Sequence, residues 1–106
     1  YWIEAVNRFR IEASQGNAGA QFSLGECYSK GRGVVKDLAQ AAEWYRKAAK
    51  QDYAAAQYRL GECYANGYGV AINELMAAKR YRKAAKQGHK GALFIKEIAY
   101  VEMPGM

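Results

Sequence analysis

The sequence is poor in the residues that break helices or carry chemistry: one proline, one histidine and two cysteines among 106 residues. A lone histidine leaves no second candidate base for a Ser-His-Asp arrangement, and no Cys, Asp or Glu stands beside His89 at metal-ligand spacing. No carboxylate pair recurs in a glycosidase-like setting. Lys, Arg, Glu or Gln interrupts every window of about 18 residues, the length of apolar chain a membrane-spanning helix requires, so no membrane span is expected. The opening Tyr1-Trp2-Ile3-Glu4-Ala5 has neither an initiator Met nor the layout of a signal peptide, and it reads as a helix already under way. The chain is therefore expected to be a fragment of a longer protein, with its compartment open.

What remains is rich in apolar residues (51%) and moderately charged (25%), the composition of an ordered chain that folds without a cofactor. The net charge of +6 is compatible with nucleic acid, an anionic surface or an acidic partner, and only its distribution separates these.

Sliding the sequence along itself gives one register, an offset of 36 residues, at which 20 of the 36 positions in 18–53 recur unchanged in 54–89. Ala20-Gln21-Phe22-Ser23-Leu24-Gly25-Glu26-Cys27-Tyr28 returns as Ala56-Gln57-Tyr58-Arg59-Leu60-Gly61-Glu62-Cys63-Tyr64. Tyr45-Arg46-Lys47-Ala48-Ala49-Lys50-Gln51 returns intact as residues 81–87. Within a unit the apolar spacing is helical. Ala20, Leu24, Cys27 and Tyr28 form one stripe, Gly31-Arg32-Gly33 ends that helix, and Asp37 or Asn73 caps the next. The second stripe is Leu38, Ala41, Ala42, Tyr45, Ala48, Ala49, with Leu75, Ala77, Ala78, Tyr81, Ala84, Ala85 in the following unit. Carried outward, the register predicts six helices over roughly 1–15, 18–30, 37–51, 54–66, 73–87 and 90–102. These divide into a second-helix half-unit (1–17), two full units (18–53 and 54–89) and a degenerate first-helix half-unit (90–106). Small residues such as Gly25 let helix axes approach while Tyr28 and Tyr45 fill the gaps.

The string Ala-Gln-x-x-Leu-Gly-x-x-Tyr-x-x-Gly-x-Gly-Val, followed by a cap and Ala-x-x-x-Tyr-Arg-Lys-Ala-Ala-Lys-Gln, resembles the Sel1-like repeat, a relative of the tetratricopeptide repeat. The resemblance implies an all-α, right-handed superhelical solenoid of antiparallel helix pairs whose first helices line a concave face, serving as a non-catalytic protein or peptide adaptor. Some cysteine-rich relatives staple each repeat with a disulfide, and penicillin binding is ascribed to some of them. The second Cys of that framework is absent from both units here. Cys27 and Cys63, equivalent positions on successive units, are expected to be buried free thiols. One departure lies in the last unit, where Lys96-Glu97 replaces Leu-Gly. Its helix either serves as a polar cap with Phe94, Ile98 and Val101 turned inward, or docks that apolar face on another copy or on further sequence.

The glycine pairs Gly31/Gly33 and Gly67/Gly69 follow no strand and lead to no Lys-Ser/Thr, so they are read as helix turns and not as phosphate loops. Basic residues gather on the second helices (Arg46, Lys47, Lys50; Lys79, Arg80, Arg82, Lys83, Lys86), which is the convex side in the implied geometry. Binding of nucleic acid or another polyanion there is the alternative function, and a structural spacer within a larger protein is another. The expected partner-binding positions are Phe22, Glu26, Ser29 and Lys30, then Tyr58, Glu62 and Asn66, then Phe94. In them an aromatic row recurs every 36 residues beside a row of glutamates, with packing of those rings inside the stack as the competing role. No metal or cofactor site is expected.

Overall fold

A computed structural model describes residues 1–95, and all the regular structure in that range is helical. The elements are α1 (Trp2–Ser14), α2 (Ala18–Lys30), α3 (Leu38–Ala49), α4 (Ala54–Asn66), α5 (Glu74–Lys86) and α6 (Lys90–Leu93). Every helix pair in substantial contact is adjacent in the chain, the pattern of a solenoid in which each unit touches only its neighbours. The chain is thus an α/α solenoid of paired helices.

Caps and turns set the helix ends. Asp37 and Asn73 accept from the amides of Gln40 (3.1 Å) and Met76 (3.0 Å), and Asn17 does the same for Ala20 (2.8 Å). Gly31 (φ 68°) and Gly67 (φ 75°) close α2 and α4 in the left-handed region, where a side chain would be strained. The turns into each first helix use the same region at equivalent places, at Gly16, Asp52 and Gly88.

The core runs through the stack as three linked clusters. Ala20, Leu24 and Cys27 join Val6 and Ala13. Ala41, Ala42, Tyr45, Ala48 and Ala49 join Ala56, Leu60 and Cys63. Ala77 and Tyr81 form the third cluster with Tyr58, Tyr64 and Ile95 around them. Glycine shapes two kinds of joint. A Cβ on Gly25 or Gly61 would lie 2.7 Å from the ring of Tyr45 or Tyr81, so the tyrosine fills the space the glycine leaves within each repeat. Between repeats the loop glycines Gly33 and Gly69 press on the starts of the preceding second helices. A Cβ there would lie 2.6 Å from the Trp2 carbonyl oxygen and 2.2 Å from that of Leu38. Two hydrogen bonds recur at the same seams: Gln21 and Gln57, both buried, donate to the Ala13 and Ala49 carbonyls at the ends of α1 and α3. Each glutamine is the second donor to a helix-terminal carbonyl that also accepts from the Gly16 or Asp52 amide, so its buried NH2 group is hydrogen-bonded.

Two expectations are corrected. Leu75, expected in the buried stripe of α5, is 75% exposed. The register aligns Glu74, not Leu75, with Leu38, so Leu75 falls on the solvent side of the helix. The final helix expected over 90–102 is the single turn Lys90–Leu93 within the described residues, closed by 3-residue bonds from Phe94 to Gly91 and from Ile95 to Ala92. Ile98 and Val101, and with them the expected apolar docking face, lie outside the described residues.

The two kinds of left-handed glycine separate in their tolerance of a side chain. Gly69→Ala meets backbone and should cost about 3 kcal/mol or more, whereas Gly88→Ala meets open space and should cost only the left-handed penalty of about 1–2 kcal/mol. Urea midpoints of the two variants measure the difference.

Candidate partner-binding face

Helices α2 and α4, with the second helix α3 behind them, enclose a pocket of about 250 Å³ lined by Glu26, Ser29, Lys30, Leu38, Tyr45, Arg59 and Glu62 together with Ala41, Cys63 and Tyr68. The helical spacing of Glu26, Ser29 and Lys30 places these side chains on one side of α2, and Arg59, Glu62 and Cys63 face them from α4.

The rim is a chain of charges that crosses from one repeat to the next. Glu26 accepts from the Tyr45 hydroxyl at 2.6 Å, from Arg59 Nε at 3.0 Å and from Lys30 Nζ at 3.1 Å. Arg59 turns its other arm to Glu62 at 2.9 Å, so its guanidinium bridges two carboxylates from successive repeats. Burial pushes the Glu26 carboxyl up, but the Tyr45 hydroxyl, Lys30 and Arg59 outweigh it and hold the group below the ordinary glutamate range. Burial first, and then the bond to Glu26, drive the Tyr45 phenol far upward, so it remains a protonated donor. Desolvation raises the Cys63 thiol to about 11, and both cysteines are free and buried. The pocket therefore holds a saturated carboxylate, a protonated phenol and a protonated thiol, with no activated nucleophile beside a base. Among the described residues no group of His, Cys, Asp and Glu is placed to hold a metal ion.

The eight positions expected from sequence divide into three sets. Glu26, Ser29, Lys30 and Glu62 come together at the pocket. Phe22 and Tyr58 are half-buried in matching aromatic trios: Phe22 lies 5.8 Å from Tyr45 and 5.5 Å from Tyr53, and Tyr58 lies 5.6 Å from Tyr81 and stacks on His89 at 4.5 Å. Their rings pack largely within the stack. Asn66 is exposed and donates to the Glu62 carbonyl, and Phe94 is 83% exposed, away from the pocket. Sequence reasoning missed Arg59, Leu38, Tyr45 and Tyr68 as lining. For Arg59 a signal existed, since it replaces Ser23 inside a block that otherwise changes only from Phe22 to Tyr58. For the other three, only the fold places them at the opening. His89 caps α6 by accepting at Nδ1 from the Ala92 amide, 3.2 Å away.

On the opposite side, the cations of the second helices are not equivalent. Arg46 is committed to Glu43 and to the Tyr64 hydroxyl of the next repeat (3.2 Å), as Arg10 is to Tyr28 (3.2 Å). Lys47 lies over the Trp44 ring at 4.4 Å.

Stacked helix pairs joined by a recurring Leu-Gly/Tyr joint, with a pocket between successive first helices, define a helical-repeat protein of the tetratricopeptide-related class. The Sel1 repeat family matches residues 18–53 and 54–89, more than half of the chain, and the chain belongs to that family. Solved structures agree. A Sel1 repeat protein from Oxalobacter formigenes superimposes with a TM-score of 0.84 at 41% identity, covering 91% of this chain and 71% of that one. A protective antigen of uropathogenic Escherichia coli with the SLR fold gives 0.83 at 40% identity, covering 93% and 21%. Helicobacter pylori cysteine rich protein B gives 0.82 at 29% identity, covering 87% and 69%. Among curated proteins, DAP3-binding cell death enhancer 1 of Rattus norvegicus is 43% identical over 44 residues, which is 42% of this chain and 9% of that protein. The chain thus spans a small part of the length of that relative. Proteins of this family are generally non-catalytic scaffolds for protein interaction.

Two outcomes follow for the pocket. Because the Glu26 carboxyl is depressed in the folded protein, its stabilisation is full above the ordinary value of 4.5 and is lost as pH falls through the lower folded value. Tyr45→Phe should raise the Glu26 pKa in NMR titration and destabilise by about 1–2 kcal/mol. The cysteines should react with an alkylating reagent only as fast as the protein opens, so native labelling at neutral pH that matches the unfolded rate would contradict their burial.

Proposed function

We propose that the face shared by α2 and α4 is a docking groove for a peptide or a segment of a protein partner. The observation that carries this reading is the pocket between the two repeats: an apolar interior of Leu38, Ala41 and the Tyr45 and Tyr68 rings, under a rim whose charges are already paired with one another. A neutral, apolar side chain of a partner fits such an interior, because filling it removes apolar surface from water without stranding a charge. The rim then supplies orientation. Glu62 and Lys30 remain partly exposed, at 31% and 43% of the side chain, and can meet polar groups that flank the inserted residue. Phe22 packs against the Tyr45 ring that lines the pocket, and Tyr58, Asn66 and the exposed Phe94 extend the proposed contact surface along successive repeats. An enzymatic reading has no support from this face, which lacks a nucleophile paired to a base.

Replacing Ser29 with a photo-crosslinking side chain and, in a separate protein, Lys50 with the same group tests this in the native host extract. Ser29 should capture a discrete protein partner and Lys50 should not. Capture from Lys50 alone would mean the groove is not the docking surface. Ser29→Arg, which fills the pocket mouth, should weaken the captured complex by at least roughly tenfold, the effect of losing one buried anchor.

A further inference from the structure

The chain's charge excess has a single location. Between Glu74 and Glu97 lie seven cations, Lys79, Arg80, Arg82, Lys83, Lys86, Lys90 and Lys96, and no Asp or Glu, so this stretch holds more positive charge than the net +6 of the whole chain. Elsewhere nine cations face ten carboxylates. Lys79, Lys83 and Lys86 fall at i, i+4 and i+7, on the side of α5 opposite its buried stripe of Ala77, Ala78, Tyr81 and Ala84. All three are exposed, and among the described residues none has a carboxylate partner, unlike Lys30, Arg46 and Arg59. Leu75 lies one turn before Lys79 on the same face and is 75% exposed.

We infer that this outer face of α5 is a second docking surface, independent of the groove, and that its partner is an acidic protein segment with interspersed apolar residues. A row of unneutralised lysines attracts polyanions, and the character of the face decides which kind. Exposed aromatics that would stack on bases are absent from the lysine row of α5, which argues against single-stranded nucleic acid. The apolar stripe of α5 is consumed by the core, leaving no apolar face to enter a bilayer. A flexible acidic chain can follow the lysine row and set an apolar side chain against Leu75, a contact that a phosphate backbone cannot match.

The full chain is titrated with three probes: a labelled peptide alternating Glu with Leu, a labelled oligothymidylate, and vesicles of phosphatidylcholine with phosphatidylserine. The acidic peptide should bind most tightly and weaken as salt rises. Combined Lys79→Glu, Lys83→Glu and Lys86→Glu should weaken it by at least about tenfold, because each exposed ion pair contributes a fraction of a decade and reversal adds repulsion of similar size. The matching Lys→Arg protein should retain binding. Circular dichroism verifies folding, and Lys→Gln at the three sites replaces the reversed variant if that one unfolds. Ser29→Arg should leave peptide binding unchanged, which separates this surface from the groove. No binding of the acidic peptide, tighter binding of either other probe, or loss of peptide binding in Ser29→Arg would each overturn the inference.

Discussion

The structure depends on the contact between a tyrosine ring and a missing side chain. Tyr45 and Tyr81 lie against Gly25 and Gly61 so closely that a single methyl group on the glycine would overlap the ring. That proximity draws the two helices of each repeat together and buries Leu24 and Leu60 completely. It also brings the Tyr45 hydroxyl to the surface of α2, where it meets Glu26. A packing constraint in the interior therefore sets the position of the carboxylate around which the pocket rim is organised.

From Glu26 the organisation spreads across the repeat boundary. Arg59 joins the glutamates of two successive units, and on the other side of the stack Arg10 and Arg46 reach the tyrosine hydroxyls of the units that follow them. Polar contacts thus link the units over an apolar interior, the Arg–Tyr bond at two successive joints and the Arg59 bridge at one. The surfaces these stitches leave differ. Around the pocket the charges cancel, and along α5 they do not, so one chain presents a neutral cavity and a cationic ridge.

Most of the fold was legible because the repeat carries its own punctuation. Asp37, Asn73, Gly31 and Gly67 mark helix ends through local backbone chemistry, and these ends fall within a residue or two of expectation. Legibility failed where the register drifted or weakened. Leu75 resembles Leu38 in apolar character alone, whereas the 36-residue offset points to Glu74. The final unit lacks the Leu-Gly pair, and with it the signal for helix length. The face was only half readable, since Glu26 and Glu62 repeat visibly whereas Arg59 is a break in the repeat and Tyr68 comes from the turn. The aromatic row seemed to offer contact area, but regular spacing cannot distinguish a ring pointing to solvent from one such as Phe22, which has two aromatic neighbours of its own.

The seat of Gly33 on the start of α1, repeated by Gly69 on the start of α3, bears on how such molecules lengthen. The two seams are translations of one another, so a duplicated block of 36 residues would arrive with both of its edges already complementary to its new neighbours. Growth by tandem copying then needs no fresh surface to evolve, and the freedom to vary is confined to side chains outside the joint, as Ser23 and Arg59 illustrate.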